Sequence, residues 1–248
     1  MAPSTSRTKK IAILQSNYIP WKGYFDVMAA VDEFLIFDEV QFTKNDWRNR
    51  NRIVLNGRLH WLTIPVRTSG AFGQPINCVE IASPDWANAH WETLKQGYRR
   101  APHFSEIAGV LQAAYGAAAS LGLLADVNEL FLRAVAGYLD LTTQILRAEI
   151  VQRTRADPTE RLVEICQARQ ATVYVSGPAA RAYLKTDLFR NAGIALHYAN
   201  YQDYSDYPQG VAPFEHGVSI VDALFQCGRE TRSHLKSLQD RRDFLDPA

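Results

Sequence analysis

Cysteine is scarce in this chain, with three residues, Cys78, Cys166 and Cys227, among 248. An odd and widely spaced set excludes a disulfide framework and a CxxC-type metal site, and it favours buried thiols in a reducing compartment. Long hydrophobic runs are also missing, because no stretch approaches the roughly 18 uninterrupted apolar residues that a membrane helix needs. Residues 1–10 are polar and basic, unlike a secretory signal. We therefore expect a soluble, cytoplasmic protein with no membrane partner.

An excess of charge of either sign is absent, since 27 basic side chains face 26 acidic ones for a net charge of +1. This balance removes any global argument for nucleic-acid or membrane binding, and only local patches stay open. The hydrophobic fraction of 47% is that of an ordinary globular protein. The motifs GxGxxG, GxxxxGKS/T and GxSxG do not occur, which disfavours a dinucleotide dehydrogenase, a P-loop enzyme and a serine hydrolase. We predict no metal site, and the sequence indicates no particular cofactor.

The apolar pattern begins with residues 11–14, where Ile, Ala, Ile and Leu follow one another. Such a run is typical of a strand that is buried on both faces of a parallel sheet. Pro20 suits the first turn of a helix over about residues 21–31, and a second buried strand follows at 34–37. Asn56 and Gly57 then separate two strand-like runs, which predicts a β-hairpin with a type I′ turn.

Beyond the hairpin, helical and strand-like patterns alternate. Short apolar runs predict strands at residues 76–81, 145–151, 173–175 and 195–198. Caps and helical spacing predict three helices in the middle of the chain, at about 84–99, 102–120 and 126–143. Asp157 opens a further helix, and another covers 178–191. Two final helices follow Ser219, which caps the first of them in a capping box that Asp222 closes. We therefore predict a single α/β domain over residues 11–248 with a mostly parallel sheet, a β-hairpin insertion and a helical subdomain at about 84–143. Residues 1–10 are predicted to be a disordered basic N-terminus.

The segment after the first strand, residues 15–26, carries more polar groups than packing alone would need. The carboxyl ends of parallel strands, together with the start of the next helix, form a natural ligand crevice. We predict that Gln15, Tyr18 and Lys22 act in catalysis there and that Asn17 binds substrate. The alternative is a structural turn whose aromatic side chains fill the core beside the sheet.

A basic and aromatic segment, residues 41–52, is the second candidate. Four basic residues against Asp46 alone give it a local charge of +3 in a nearly neutral protein. One guanidinium group can donate two hydrogen bonds to a phosphate at once, and an indole ring can stack on a base. We predict that a phosphate-bearing substrate is bound by Trp47, Arg48, Asn49, Arg50, Asn51 and Arg52. The alternative is a solvated loop, and one patch does not imply binding of a long nucleic acid.

The tyrosine-rich segment at residues 198–209 is a third candidate, because its phenols and amides are able to line a polar pocket. We assign Tyr207 and Gln209 to substrate binding. Ser219 and Asp222 fit a helix cap better than a catalytic triad with a nearby histidine, since three groups from one turn would have to converge. Four histidines show no metal-ligand spacing and receive no role: His60, His90, His103 and His216.

These segments together resemble the WbqC-like protein family over about residues 10–229. The supporting stretches are residues 15–25, 47–51, 61–66, 159–162, 174–177, 207–209 and 219–225. The resemblance implies biosynthesis of surface polysaccharides or small secondary metabolites and does not specify a reaction. The front end is also similar to Rossmann-like, nucleotidyltransferase-like α/β domains with an HxGH signature, although Trp21 and Tyr24 stand in place of its histidines. That likeness implies a nucleotide-sized crevice and no more.

Three functions fit these observations. The first is a transferase that moves an acyl or aminoacyl group from a phosphate- or nucleotide-bearing donor to an amine of a sugar or small metabolite; nothing in the sequence supports transfer RNA as that donor. The second is an ATP-dependent ligase or nucleotidyltransferase, with Asp26 and Asp38 as the acidic candidates for Mg²⁺. The third is a non-catalytic subunit that binds a small ligand or a partner in a biosynthetic assembly. The sequence does not indicate an oligomeric state.

Overall fold

The computed structural model describes residues 8–68, 73–148, 157–239 and 242–248. A six-stranded sheet carries the fold, and its strands are β1 (Lys10–Leu14), β2 (Glu33–Ile36), β5 (Gln144–Arg147), β6 (Val173–Ser176), β7 (Ala195–Ala199) and β8 (Leu245–Pro247). Their order across the sheet is β5-β2-β1-β6-β7-β8, and all neighbours are parallel except β7 and β8. The predicted α/β class with a mostly parallel sheet is confirmed.

Helices cover both faces of the sheet, which explains why its central strands are uninterrupted apolar runs. The helices are α1 (Lys22–Ala29), α2 (Trp86–Tyr98), α3 (Phe104–Ala118), α4 (Leu124–Tyr138), α5 (Pro158–Ala168), α6 (Thr186–Asn191) and α7 (Ile220–Cys227). Alternate residues of β1 point to opposite faces. Ala12 faces the larger core, which α1 to α4 and α7 complete, and Ile11 and Ile13 face a smaller core beneath α5 and α6.

The predicted hairpin is confirmed, and it forms a separate two-stranded sheet from β3 (Arg50–Leu55) and β4 (Arg58–Thr63). Asn56 and Gly57 have positive φ angles of 52° and 70°, as a type I′ turn requires. β3 lies against α2, where the Val54 N–H donates to the Tyr98 hydroxyl at 3.0 Å. At the other end of β3, Asn51 bonds to the loop after β1 and so places the start of β3 beside the end of β1.

Residues 76–81 do not form the predicted strand. Ile76–Cys78 is a short 3₁₀-helix, and only isolated bridges follow it. The N–H groups of Ile76 and Asn77 donate to the carbonyl oxygens of Val40 and Asp38 at 3.0 Å each. Because the loop after β2 takes these donors, no strand ladder forms.

The C-terminal third also departs from the prediction. The expected helix at 178–191 is broken into a 3₁₀-helix, Pro178–Ala182, and α6. The expected final helix is a series of 3₁₀ turns that begins at Gly228–His234, and the pattern gave no signal for β8. Among helix starts, Asp157 caps α5 as predicted by accepting from the N–H groups of Thr159 and Glu160, whereas α2 begins at Trp86, past the predicted cap.

Some predictions fall on residues outside the described ranges. Residues 1–7 of the predicted disordered N-terminus (residues 1–10) lie outside the described ranges, and Lys10 belongs to β1. The end of the predicted strand at 145–151 also lies outside them, since the description stops at residue 148. Within the described part of the chain, no helix has the length and apolarity needed to cross a membrane.

Candidate functional site

The chain leaves β1 in a loop that the buried amide of Asn51, on β3, holds in place. Asn51 donates to the carbonyl oxygens of Tyr18 and Ile19 at 3.1 and 2.9 Å, and Ile19 has a positive φ of 36°. Asn49 donates to the Ile64 carbonyl at 2.9 Å. Both amides are buried; Asn51 shapes the loop after β1, and Asn49 ties the chain before β3 to the segment after β4. A phosphate-binding role for Asn49, as the sequence suggested, is not supported by this position.

Arg48 turns inward to the end of β1 and does not extend into solvent. Its guanidinium donates to Gln15 Oε1 and Asn17 Oδ1, and its side chain is only 15% exposed. Asp46 is 3.8 Å away, and Nε has no hydrogen-bond partner among the described residues. Burial lowers the pKa of Arg48. These contacts join the strand-end segment to the basic segment, and we refer to Gln15, Arg48 and Asn17 as the arginine bridge.

A pocket of about 300 Å³ opens beside the arginine bridge, and we call it the front pocket. Its lining residues are Asn17, Pro20, Trp21, Trp47, Asn51 and Gly217. The indole of Trp21 is held edge-on by Tyr201 and Tyr204, with ring centroids 4.9 and 5.7 Å away. Gly23 leaves the space that this indole fills, because a Cβ there would overlap the ring. Three residues predicted to bind substrate, Asn17, Trp47 and Asn51, therefore share one pocket.

Arg52 lies at the mouth of the front pocket beside Gly217, and both Arg50 and Arg52 lie against exposed indoles. Trp47 and Trp61 are 40% and 42% exposed, with ring centroids 5.5 Å apart. Arg50 lies 4.3 Å over Trp61 and donates to the Asn45 carbonyl. Arg52 donates to the Gly217 carbonyl through Nε at 3.1 Å and Nη2 at 2.9 Å.

Arg52 also lies 3.4 Å from a carboxylate oxygen of Glu215. Each of the three arginines predicted to bind phosphate therefore already bonds to a protein acceptor. Arg48 is separated from the other two by its inward turn to Gln15 and Asn17. The structure does not gather them around one open anion site.

Tyr18, which the sequence placed among the catalytic residues, is fully buried. Its hydroxyl is hydrogen bonded to His90 Nδ1 at 2.9 Å and to the Tyr115 hydroxyl at 2.6 Å. Burial raises the pKa of Tyr18 and lowers the pKa of His90 to about 4. A hydroxyl enclosed in this way anchors the loop to α2 and α3, and it lies outside the lining of the front pocket.

Lys22 is enclosed in an aromatic cage and is only 3% exposed. Its Nζ donates to the Ser205 carbonyl at 3.0 Å and lies 5.0 to 5.3 Å from the ring centroids of Tyr204, Tyr207 and Phe214. Burial lowers the pKa of Lys22 to about 8, against the opposing charges of nearby carboxylates. Aromatic rings stabilise the charged amine, but less than water would. The amine therefore titrates near neutral pH, behind the wall that Trp21 forms.

Tyr207 and Gln209, which the sequence assigned to substrate binding, hold a buried carboxylate instead. Asp222 accepts from both at 2.8 Å and from the Tyr98 hydroxyl at 2.7 Å. The predicted capping box is therefore wrong in part. Ser219 does cap α7, accepting from the Val221 N–H at 3.2 Å, while the carboxylate of Asp222 points to these three donors.

A cysteine and a histidine that the sequence reasoning missed lie beside the aromatic cage. Cys227 Sγ is 3.8 Å from His234 Nε2, and His234 Nδ1 is 2.7 Å from the Ser205 hydroxyl. Burial raises the pKa of Cys227 to about 11 and lowers the pKa of His234. The thiol is thus protonated at neutral pH and is not an activated nucleophile. Cys227 and His234 are seven residues apart, which matches no motif, so no local pattern in the sequence predicted the pair.

The histidines that were left without a role are scattered. His103 lies 3.2 Å from Glu106 and His216 lies 3.4 Å from Asp206, both at the surface, and His60 is exposed on β4. Among the described residues, no group of three or more His, Cys, Asp or Glu side chains is placed to hold a metal ion.

Two comparisons with known proteins agree with the resemblance noted from the motifs. The WbqC-like protein family matches residues 15–234. The chain is also 44% identical over 230 residues to the uncharacterized protein Rv1507c of Mycobacterium tuberculosis (strain ATCC 25618 / H37Rv), which covers 92% of this chain and 98% of that protein. No solved structure matches the chain significantly. The chain belongs to the WbqC-like protein family.

Proposed function

We propose that the protein is a biosynthetic transferase that moves an acyl or aminoacyl group from a phosphate- or nucleotide-bearing donor to an amine, and that the acceptor sits in the front pocket. The observation that carries this proposal is the pairing of two indoles, Trp21 and Trp47, with the NH₂ group of Asn17, which donates to no other described residue, in a pocket of about 300 Å³. Small-molecule sites are mostly apolar and use a few placed polar groups. The volume is at the low end of such sites and suits a single sugar ring or a compact metabolite.

Asn17 supplies the polar group. Its Oδ1 accepts from Arg48, so only its NH₂ group is left to donate toward an acceptor in the pocket. Arg48 thereby fixes which way the amide points, and Gly217 leaves room for Arg52 at the pocket mouth, since a Cβ there would overlap the guanidinium. These donors suit the hydroxyl oxygens of a sugar ring or the carbonyl oxygen of the group in transfer.

The reaction that fits is aminolysis. The acyl carbon forms a bond to the acceptor nitrogen, its bond to the donor oxygen breaks, and the amine proton leaves with that oxygen. Catalysis would come from positioning the two substrates and from hydrogen bonds to the charge that develops on the carbonyl oxygen. The NH₂ group of Asn17 would donate to that charge, and Arg48 would act on it through its hydrogen bond to Asn17. Tyr18 and Lys22 act as positioning residues, because each holds a pocket wall from within the core.

The test is binding of amino sugars to matched tryptophan variants. Trp47 and Trp61 are equally exposed neighbours, yet only Trp47 lines the front pocket. We expect Trp47→Ala to raise the Kd of glucosamine or a UDP-amino sugar at least tenfold in titration calorimetry, and Trp61→Ala to change it less than threefold. Equal effects of the two substitutions would show that the front pocket is not the acceptor site.

Asn17→Asp tests the polar contact separately. The substitution keeps the size of the side chain and its contact with Arg48 but removes the NH₂ donor. We expect binding to be lost without any fall in the melting temperature. Turnover is then measured with donors of each class, and the acylated acceptor is detected by its mass. Release of AMP in an ATP- and Mg²⁺-dependent reaction would favour the ligase alternative, and binding without turnover of any donor would favour the binding subunit.

A further inference from the structure

A second pocket lies where the strand order of the sheet reverses. From β1 the chain moves to β2 and β5 on one side, and later to β6 and β7 on the other. In open α/β sheets, the crevice outside the carboxyl ends of the two strands at such a point is a preferred ligand site. The strands here end at Leu14 and Ser176, and a cavity of about 250 Å³ opens at that position. We call it the switch-point pocket.

The switch-point pocket is lined by donors and by one cation. Its polar lining consists of Gln15, Arg161, Tyr174, Ser176 and Tyr183. No acidic residue is found among the described residues that line it. Gln15 Oε1 accepts from Arg48, which leaves the amide NH₂ of Gln15 as a donor. A site with several donors, one guanidinium and no carboxylate suits an anion with several acceptor oxygens.

Arg161 supplies the guanidinium that lines this pocket among the described residues. Its Nε is buried and has no hydrogen-bond partner among the described residues. A buried charged donor without an acceptor is costly, and native structures rarely leave one unsatisfied. The nearest helix cap does not neutralise it, because Asp157 is bonded to Lys185 and to the N–H groups of Thr159 and Glu160.

We infer that the switch-point pocket binds the phosphate group of a small phosphate ester, with Arg161 as its cation. This inference rests on the proposed function, for which it places the donor. The two pockets share the arginine bridge: Gln15 lines the switch-point pocket, Asn17 lines the front pocket, and the Arg48 guanidinium is bonded to both. A donor and an acceptor bound on the two sides meet at Arg48. We therefore place the phosphate here and not at Arg50 and Arg52, whose guanidinium groups already donate to the carbonyl oxygens of Asn45 and Gly217.

The experiment is a calorimetric titration of the full chain with UMP, inorganic phosphate and uridine. We expect UMP and phosphate to bind, uridine to bind more weakly than UMP, and Arg161→Ala to raise the Kd of UMP at least tenfold. Arg161→Lys, which keeps the charge, should recover part of the affinity. Arg190→Ala on α6 is the matched control, because it removes an exposed arginine that pairs with Asp187. Melting curves verify that every variant is folded.

A parallel titration with glucosamine separates this inference from the proposed function. If Arg52→Ala abolishes UMP binding and Arg161→Ala does not, the phosphate binds at the front and the inference is overturned, while the acceptor site is unaffected. If UMP binding depends on Arg161 but glucosamine does not bind, the switch-point site stands and the proposed acceptor is wrong. If UMP and phosphate do not bind at all, the inference fails whatever glucosamine does.

Discussion

Replacing Lys22 with methionine removes a buried charge and keeps an unbranched side chain of similar length inside the aromatic cage. The structure predicts how this changes the dependence of stability on pH. Lys22 has its pKa lowered from 10.5 to about 8 by burial. Between these two values the unfolded chain binds a proton that the folded chain has released. Stability therefore rises with pH through this window in the wild type.

The size of the effect follows from the shift. One pKa unit corresponds to about 1.4 kcal/mol, so the change from 10.5 to about 8 amounts to about 3 kcal/mol in full. At pH 10 the unfolded lysine is still mostly charged, so the part recovered between pH 7.5 and pH 10 is about 2 kcal/mol. Tyr204 and Tyr207 have their pKa raised by burial, which lowers stability at high pH. That contribution is present in both proteins, so the difference between them isolates Lys22.

The assay is urea unfolding of the wild type and Lys22→Met at pH 7.5, 8, 9 and 10. We expect the wild type to gain about 2 kcal/mol relative to the variant across this range. Lys95→Met is the control, because Lys95 is an exposed lysine paired with Glu92 and should give no such difference. Parallel curves for the wild type and Lys22→Met would refute the lowered pKa and, with it, the enclosure of the amine in the cage.

Three further outcomes follow from local geometry. Gly217→Ala would push the Arg52 guanidinium from the mouth of the front pocket, so we expect glucosamine to bind several-fold more weakly by calorimetry, and an unchanged Kd would exclude a role for that guanidinium. Ser219→Ala removes the cap acceptor of α7 and should lower the free energy of unfolding by about 1 kcal/mol in urea titrations. Gly57→Ala places an alanine at a φ of 70° and should lower the free energy of unfolding by about 1 kcal/mol in the same urea titrations. Gly109→Ala in α3 is the control: an added Cβ there meets no other atom, so the substitution should raise the free energy of unfolding.

Features that depend on neighbours in sequence were predictable. The turn at Asn56 and Gly57 needs two positive φ angles, which these residue types adopt most readily, and the hairpin formed in the expected place. Asp157 capped α5 because its carboxylate reaches N–H groups only two and three residues away. The buried run at β1 identified a strand covered on both faces. In each case, the physics that decides the structure acts within a few residues.

The site depends on contacts between distant parts of the chain, and these were only partly predictable. Its position at the strand end places Asn17 in the lining of the front pocket, and its role in binding stays a prediction. The direction of Arg48 was not predictable, because its partner Gln15 is 33 residues away and a run of charges does not show which side chains turn inward. Asp222 was misread because one of its donors, Tyr98, is 124 residues away. From the sequence alone, a helix cap within the same turn was the simplest role for the Asp222 carboxylate.

The position of Arg48 offers a physical reason for two small pockets and not one large pocket. A buried guanidinium is usually compensated by a carboxylate in close contact, since an uncompensated charge is costly. Here its hydrogen bonds go to two neutral amides, and the nearest carboxylate, on Asp46, is 3.8 Å away. Its positive charge is therefore only partly compensated by the protein. In the proposed reaction, an anionic donor and the oxyanion formed during acyl transfer would both gain from that field across Gln15 and Asn17, whereas a purely structural bridge would gain more from an aspartate in place of Asn17.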